Sequence, residues 1–459
     1  MHFSLALLIV LLPTWAYLIG SAVAVRRFVR SGRSQSSESA SPFGDFVKPS
    51  PSMGEGWEGV NTAVTGKAEA RKPAERVIIT GESSAGVTPT LARPHQGGGN
   101  ASTIRQCHSL QKGERMGWRP TVSVLKPLHG DEPELYENLR SFAEQDYPGV
   151  QIVLGVNDPQ DGALRAGRAL IRDLPAREIA LVVDPRARGS NRKVANLENM
   201  LEAARHEVIV LADSDMRVDP HYLAAVTAPL RDPLTGVVTC LYKGAASGGR
   251  WSELGAMHIN FWFLPGALVA DALGVGGGCF GATIALRRET LERIGGFTRL
   301  RDELADDHKI GDEVRALGLA VVLSPYIVET RVTEPTFTAL WQHELRWART
   351  ERAVAPAGFA GSVLSHPVAI AALGAAMAGF GLTSSIFLVI SCVLRWATAR
   401  IVARALGLHP AKPWLLAVRD ALSFAVFVAS YFGRTVVWRD EFLRVEASGR
   451  MTANGDKAP

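Results

Sequence analysis

VIVLADSDMRV, residues 208–218, opens with five consecutive apolar residues and then places two carboxylates one residue apart, Asp213 and Asp215. A run without polar alternation fits a strand buried on both faces, the kind found inside a parallel sheet covered by helices. In such sheets ligands gather at the carboxyl ends of the strands, which is where this run becomes acidic.

The flanking sequence repeats the pattern. TVSVLKPL (121–128), VQIVLGVND (150–158) and IALVVD (179–184) read as strands, while ELYENLRSFAEQ (134–145), ALRAGRALIRDL (163–174) and KVANLENMLEAA (193–204) read as helices. Strands alternating with helices predict a doubly wound α/β core. Asp158 ends its strand as Asp213 ends the next but one. Strand-end aspartates either cap the following turn or offer oxygen to a hard divalent cation that bridges nucleotide phosphates. Three of them after apolar strands of one sheet favour the second reading.

Further on, RDELADDHKIGDEVRALG (301–318) puts Asp306 and Asp307 in the first turn of a helix, either as a general base or as favourable charge near a helix N-terminus. LWQHELRWARTERA (340–353) is a helix carrying His343, Arg346, Trp347 and Arg349, which by itself also suits a basic interfacial helix leading into a membrane. GSNRKVANLENM (189–200) offers Lys193 to phosphates or is a solvated helix start. The glycine-rich GVGGGCFG (274–281) lacks the Gly-Lys-Ser/Thr ending of a phosphate loop and reads as a mobile loop. His129, His308 and His366 show no metal-ligand spacing, although His308 stands beside Asp307.

Apolar blocks gather at both ends of the 459 residues. Residues 3–25 are uncharged and are followed by Arg26, Arg27 and Arg30, which predicts an uncleaved anchor with its C-terminal side in the cytoplasm; Ala22-Val23-Ala24 leaves a cleaved signal peptide as the alternative. Residues 363–393 form one long helix or two passes around Gly379-Phe380-Gly381, and a third block near 421–433 is complicated by Arg419 and Asp420. Two to three C-terminal passes are expected. The net charge of +5 comes largely from arginines beside these blocks, so it reads as a topology signal and no nucleic-acid partner is expected. Cys107, Cys240, Cys279 and Cys392 form no disulfide framework or zinc spacing. The expected organisation is an anchor (1–30), a low-complexity, disordered linker (31–118), a catalytic domain (119–355), membrane helices (356–440) and a polar tail (441–459). A short strand at 76–80 has no obvious partner in the sequence.

In this order, VSVLKPLHGDEPELYENLRSF, GVNDPQD, ADSDMRV, CFGATIALRRETLERIGGF, LADDHKIG and HELRW resemble the motifs of membrane-bound family 2/21 glycosyltransferases. The likeness extends to the ceramide glucosyltransferases and, through HELRWART, to the hopanoid biosynthesis-associated glycosyltransferases (HpnI type). It implies a GT-A fold with a doubly wound mixed sheet and N- and C-terminal transmembrane helices in a bacterial inner membrane, the catalytic domain facing the cytoplasm. It also implies a UDP-sugar donor, a divalent metal (Mg2+ or Mn2+) and a membrane lipid as acceptor. Carried onto this chain, Asp158 contacts the uridine, Asp213 and Asp215 hold metal and diphosphate with Lys193 near the phosphates, Asp307 is the catalytic base with Asp306 its competitor, Arg346 stabilises the leaving diphosphate and Trp347 walls the sugar or acceptor site. The reaction would be an inverting transfer of N-acetylglucosamine or glucose to a hopanoid hydroxyl, or of glucose to ceramide. A processive polysaccharide synthase shares the aspartates but needs more membrane passes, and a nonenzymatic scaffold would not need intact Asp158, Asp213, Asp307 and Arg346. His343 stands where the pattern has Gln or Arg, Asp440 where it has glycine, and the linker is longer than usual.

Overall fold

The computed structural model describes residues 2–36, 76–80, 118–274, 278–433, 435–438, 441–445 and 451–453. Most of the expected linker, the centre of the glycine-rich stretch, Asp440 and most of the polar tail lie outside the described residues.

A long helix α1 (His2–Ser36) precedes strand β1 (Val77–Thr80). The α/β succession follows: β2 (Val122–Pro127), α2 (Leu135–Ala143), β3 (Val150–Val156), α3 (Ala163–Asp173), β4 (Glu178–Val183), α4 (Arg192–Leu201) and β5 (Val208–Leu211). Next come β6 (Met216–Arg217), α5 (Tyr222–Thr227), β7 (Thr235–Ala246), α6 (Arg250–His258), a π-helical turn (Ile259–Phe263), α7 (Leu264–Ala272), β8 (Ile284–Arg287) and α8 (Arg288–Arg293). The succession closes with α9 (Asp306–Ala316), β9 (Ala320–Val332) and α10 (Phe337–Val354). These strands form a nine-stranded mixed sheet in the order β1-β4-β3-β2-β5-β8-β7-β9-β6. Strands β4, β3, β2 and β5 run parallel, and β8 enters antiparallel between β5 and β7.

The apolar strands are buried on both faces for the reason their sequences suggest. Val208 and Val210 of β5 face one core with Phe142, Leu164 and Tyr222, while Ile209 and Leu211 face the other with Val194, Leu197, Ile310 and Val314. Helices therefore cover both sides, α2, α3 and α5 on one and α4, α8 and α9 on the other, as a doubly wound sheet requires. The short strand without an obvious partner does have one: β1 pairs antiparallel with β4, Val77 opposite Val183 through Thr80 opposite Ala180. β4 is the outer strand of the parallel set, and its open row of backbone groups accepts a segment from far away in sequence.

Past α10 lie α11 (Pro356–Gly361), α12 (Pro367–Met377), α13 (Leu382–Leu406) and α14 (Pro413–Ser430). Ser4–Gly32 of α1, all of α13 and all of α14 are long and apolar enough to cross a membrane; residues 356–365 with α12 make a further pair bent by 67°. The break expected at Gly379-Phe380-Gly381 separates α12 from α13, with Gly379 and Phe380 in the left-handed region. Arg419 and Asp420 are fully buried inside this helical assembly. The Arg419 guanidinium donates to both carboxylate oxygens of Glu344 on α10, at 2.6 and 2.7 Å, and Asp420 pairs with Arg395 of α13 at 3.4 Å. Arg395 in turn lies 3.6 Å from the centre of the Trp262 ring. A small three-stranded sheet (Thr435–Trp438, Glu441–Val445, Met451–Ala453) follows α14.

Candidate active site

A cavity of about 480 Å³ opens at the carboxyl ends of the strands, between the sheet and α10. Its lining includes Lys193, Asp213, Asp215, Asp306, Asp307, Arg346 and Trp347, residues spread over more than 150 positions of the sequence. Asp158 does not line it. That residue sits exposed beyond the end of β3, where its carboxylate accepts the Gln160 backbone N–H at 2.8 Å and so caps its own turn.

The Asp213-Ser214-Asp215 turn is fixed from both sides. Asp215 accepts the Thr330 hydroxyl at 2.7 Å and its carbonyl accepts the Arg331 N–H at 3.0 Å, both from β9. From beneath, the buried Lys126 of β2 donates to the Asp213 carbonyl while its ammonium rests 3.8 Å from the Phe142 ring centre. Burial pulls Lys126 down to about 7, against the raising influence of Asp215 and Asp213. A lysine inside an apolar strand was the available sign of this support, and the sequence reading passed over it.

Lys193 arrives through a junction of two loops. Asn191 caps α4 by accepting the Val194 N–H at 3.0 Å, and its amide donates to the Glu303 carbonyl at 2.8 Å. Gly189, at φ 81°, lets the loop pass so close to Arg301 that a Cβ would fall 2.5 Å from that residue's Cβ. The junction sets the Lys193 ammonium 2.6 Å from Asp213 and 3.9 Å from Asp306. Burial works against the charge on Lys193, yet Asp213 and Asp306 outweigh it and hold the group above the ordinary lysine range.

Asp306 and Asp307 start α9. Asp306 is 7% exposed, and burial pushes its carboxyl up despite Lys193. Asp307 accepts the backbone N–H groups of Gly281 at 2.8 Å and His308 at 2.7 Å. Burial, reinforced by Asp306, pushes its carboxyl up to about 6. The His308 ring turns to Asp312 at 3.2 Å, so only its backbone touches the candidate base. His129 pairs with Asp161 at 3.2 Å, and His366 is buried against Phe424 and Phe427.

Helix α10 splits its faces at helical spacing. Leu340, Glu344 and Ala348 are buried, while the less buried His343, Arg346, Trp347 and Thr350 line the cavity, to which Leu340 and Glu344 also contribute. Glu334, just past β9, joins them, although it belongs to no recognisable motif.

Among the described residues no group of three or more His, Cys, Asp or Glu side chains is arranged to hold a metal ion. The acidic turn nevertheless suits a cation shared with a ligand. Seven carboxylates line the cavity against three Lys or Arg side chains, and burial, with Asp213 beside it, pushes the Asp215 carboxyl up. Asp213 uses one oxygen for Lys193 and Asp215 one for Thr330, which leaves the second oxygen of each. Two carboxylates completed by substrate phosphates are a usual way of holding Mg2+.

Comparison with known proteins gives these features relatives. The chain is 24% identical over 362 residues to ceramide glucosyltransferase 1 of Caenorhabditis elegans, covering 74% of this chain and 75% of that one. It is 23% identical over 263 residues to the probable glycosyltransferase YdaM of Bacillus subtilis, covering 51% and 56%. Among solved structures, a mannosyltransferase from Pyrobaculum calidifontis, in complex with GDP-mannose and Mn2+, matches with 21% identity and a TM-score of 0.41 over 69% of this chain and 88% of that one. Residues 99–451 match glycosyl transferase family 21. This stretch takes in every strand from β2 to β9 and every helix from α2 to α14, and the chain accordingly belongs to glycosyl transferase family 21: it is a glycosyltransferase.

Proposed function

We propose that the protein is an inverting enzyme that moves a sugar from a UDP-sugar to a hydroxyl of a membrane lipid. The observation that carries this reading is the construction of the cavity: one wall is the acidic end of a nucleotide-binding type of sheet, and the other is α10, which the Glu344–Arg419 pair clamps to the apolar helix α14. A water-soluble donor and a membrane-bound acceptor meet naturally at such a boundary. The arginines after α1's apolar stretch support a cytoplasmic catalytic domain at a bacterial inner membrane.

In this reading Asp213 and Asp215 hold a divalent cation, Mg2+ or Mn2+, which supplies positive charge to the donor diphosphate. Lys193 and Arg346 add fixed positive charge in the same cavity, where exclusion of water strengthens it. Asp307, already poised near neutrality, takes the proton of the acceptor hydroxyl as its oxygen attacks the anomeric carbon and UDP departs on the opposite side. Trp347 walls the sugar or acceptor. Asp158 lies beyond the cavity lining, so its assigned contact requires the uridine to extend outward along the strand ends.

The acceptor follows from two lines that diverge. The HELRWART segment supports a hopanoid with N-acetylglucosamine as the sugar, whereas the ceramide glucosyltransferase relatives support ceramide with glucose. Transfer of labelled sugar from UDP-glucose and UDP-N-acetylglucosamine, in membranes containing the full chain, to a polyhydroxylated hopanoid and to a ceramide separates them. Product is expected with one lipid and is expected to fall by roughly a hundredfold or more in Asp307→Asn, the usual contribution of a general base. Absence of product with both lipids, with intact protein and metal supplied, would remove the lipid-acceptor reading.

A further inference from the structure

Glu334 and His343 lie in the same cavity yet have no part in the chemistry above. His343 Nδ1 is 2.5 Å from Glu334 Oε1, and the His343 ring meets Trp347 edge-on with centroids 4.3 Å apart. The Glu334 side chain is only 12% exposed, and its Oε2 is buried without a hydrogen-bond partner among the described residues. Burial pushes this carboxyl up, but His343 outweighs it and holds Glu334 below the ordinary carboxylate range, so the buried oxygen is charged. A charged acceptor sealed from water without a donor is costly, and a ligand that brings an N–H or O–H to it removes that cost. With Nδ1 committed to Glu334, the imidazole has only Nε2 left for a ligand.

We propose that Glu334 and His343 form a headgroup subsite that takes hydrogen-bond donors, hydroxyl or amide N–H groups, on the acceptor lipid beside the hydroxyl that reacts. The subsite selects lipids with more than one such donor. This rests on the lipid-acceptor reading. Its place on the acceptor side follows from chemistry and position. A further carboxylate beside the donor diphosphate would repel it, and His343 stands on α10, the helix joined to α14, one turn from Trp347.

The test compares wild type, Glu334→Gln and His343→Gln as full chains in membranes, with two acceptors that share a lipid body and a reacting hydroxyl but differ by one neighbouring hydroxyl or amide. Binding of UDP with Mn2+ reports the folding of the donor half. Wild type is expected to favour the richer headgroup, and each variant to raise the KM for that lipid by about tenfold or more, the scale of a hydrogen bond to a charged group, with a smaller change in kcat. The preference between the two lipids should shrink toward unity. Unchanged preference in both variants overturns the proposal. A changed preference between UDP-glucose and UDP-N-acetylglucosamine, with UDP binding retained, assigns the pair to the donor and overturns it as well. A wild type that transfers sugar to no lipid overturns the lipid-acceptor reading itself, an outcome distinct from transfer without discrimination.

Discussion

Asp307 carries a charge that the folded protein resists. Its carboxyl stands at about 6, raised by burial and by Asp306, whereas an unfolded aspartate titrates near 4. Between those values the folded state binds more protons than the unfolded state, so this group's contribution to stability falls as pH rises through the window and stays lost above it. Asp307→Asn is therefore expected to raise Tm near neutral pH, and the gain should shrink well below the shifted value; thermal denaturation at several pH values checks it. For transfer, with Asp307 as the proposed base, the sign reverses, because a base must be ionised to accept a proton. The rate should climb with pH up to about 6 and then level off. A rate profile that levels near the ordinary aspartate value would place the base elsewhere. Much of the cavity's lining was readable in the chain, because carboxylates after apolar strands and at a helix start announce their positions. What escaped was whatever depends on a partner distant in sequence. Lys126 looks like one polar residue in a strand, and Glu334 belongs to no motif.

Helix α10 works by presenting two faces, and the buried face is the one that fixes the other in place. Glu344 and Arg419 are almost wholly withdrawn from solvent, and Arg419 also donates to the Leu254 carbonyl and Ser423. Removing one partner leaves a charge buried without compensation, a loss of about 3–5 kcal/mol, whereas replacing both with apolar residues is often close to neutral. Arg419→Met is accordingly expected to lower thermal stability in detergent far more than Arg419→Met combined with Glu344→Met. If the double variant is as unstable as the single one, the pair contributes specific geometry beyond charge balance. Helices and buried strands were read correctly because their period and apolarity are local. The pairing of β1 with β4 was not, since nothing in RVIIT says which open edge will receive it. The same holds for Arg419 and Asp420, whose sequence reads as an obstacle to a membrane helix until their partners on α10 and α13 are seen.

The molecule as a whole joins a three-layer α/β domain to a set of apolar helices, with the cavity at their junction. The proposed division into anchor, linker, catalytic domain and membrane helices would place the two substrates in their own phases, with the Glu334–His343 pair in the cavity between them. The paired charges of α14 also bear on how such a molecule is made. At the centre of a helix entering the bilayer, an arginine or aspartate each adds about 2.5–3.5 kcal/mol, and a leucine, valine or phenylalanine returns only about 0.3–0.6. The eight Leu, Val and Phe residues of α14 do not offset Arg419 and Asp420 together. On its own the segment should fail to insert, and it should insert once both charges are replaced by leucine or once α13 with Arg395 precedes it, which a glycosylation-reporter insertion assay distinguishes. Biogenesis then has a built-in order: the last apolar helix settles into the bilayer only when α10 and α13 are ready to receive its charges, so completing the membrane set and completing the enzyme are one event.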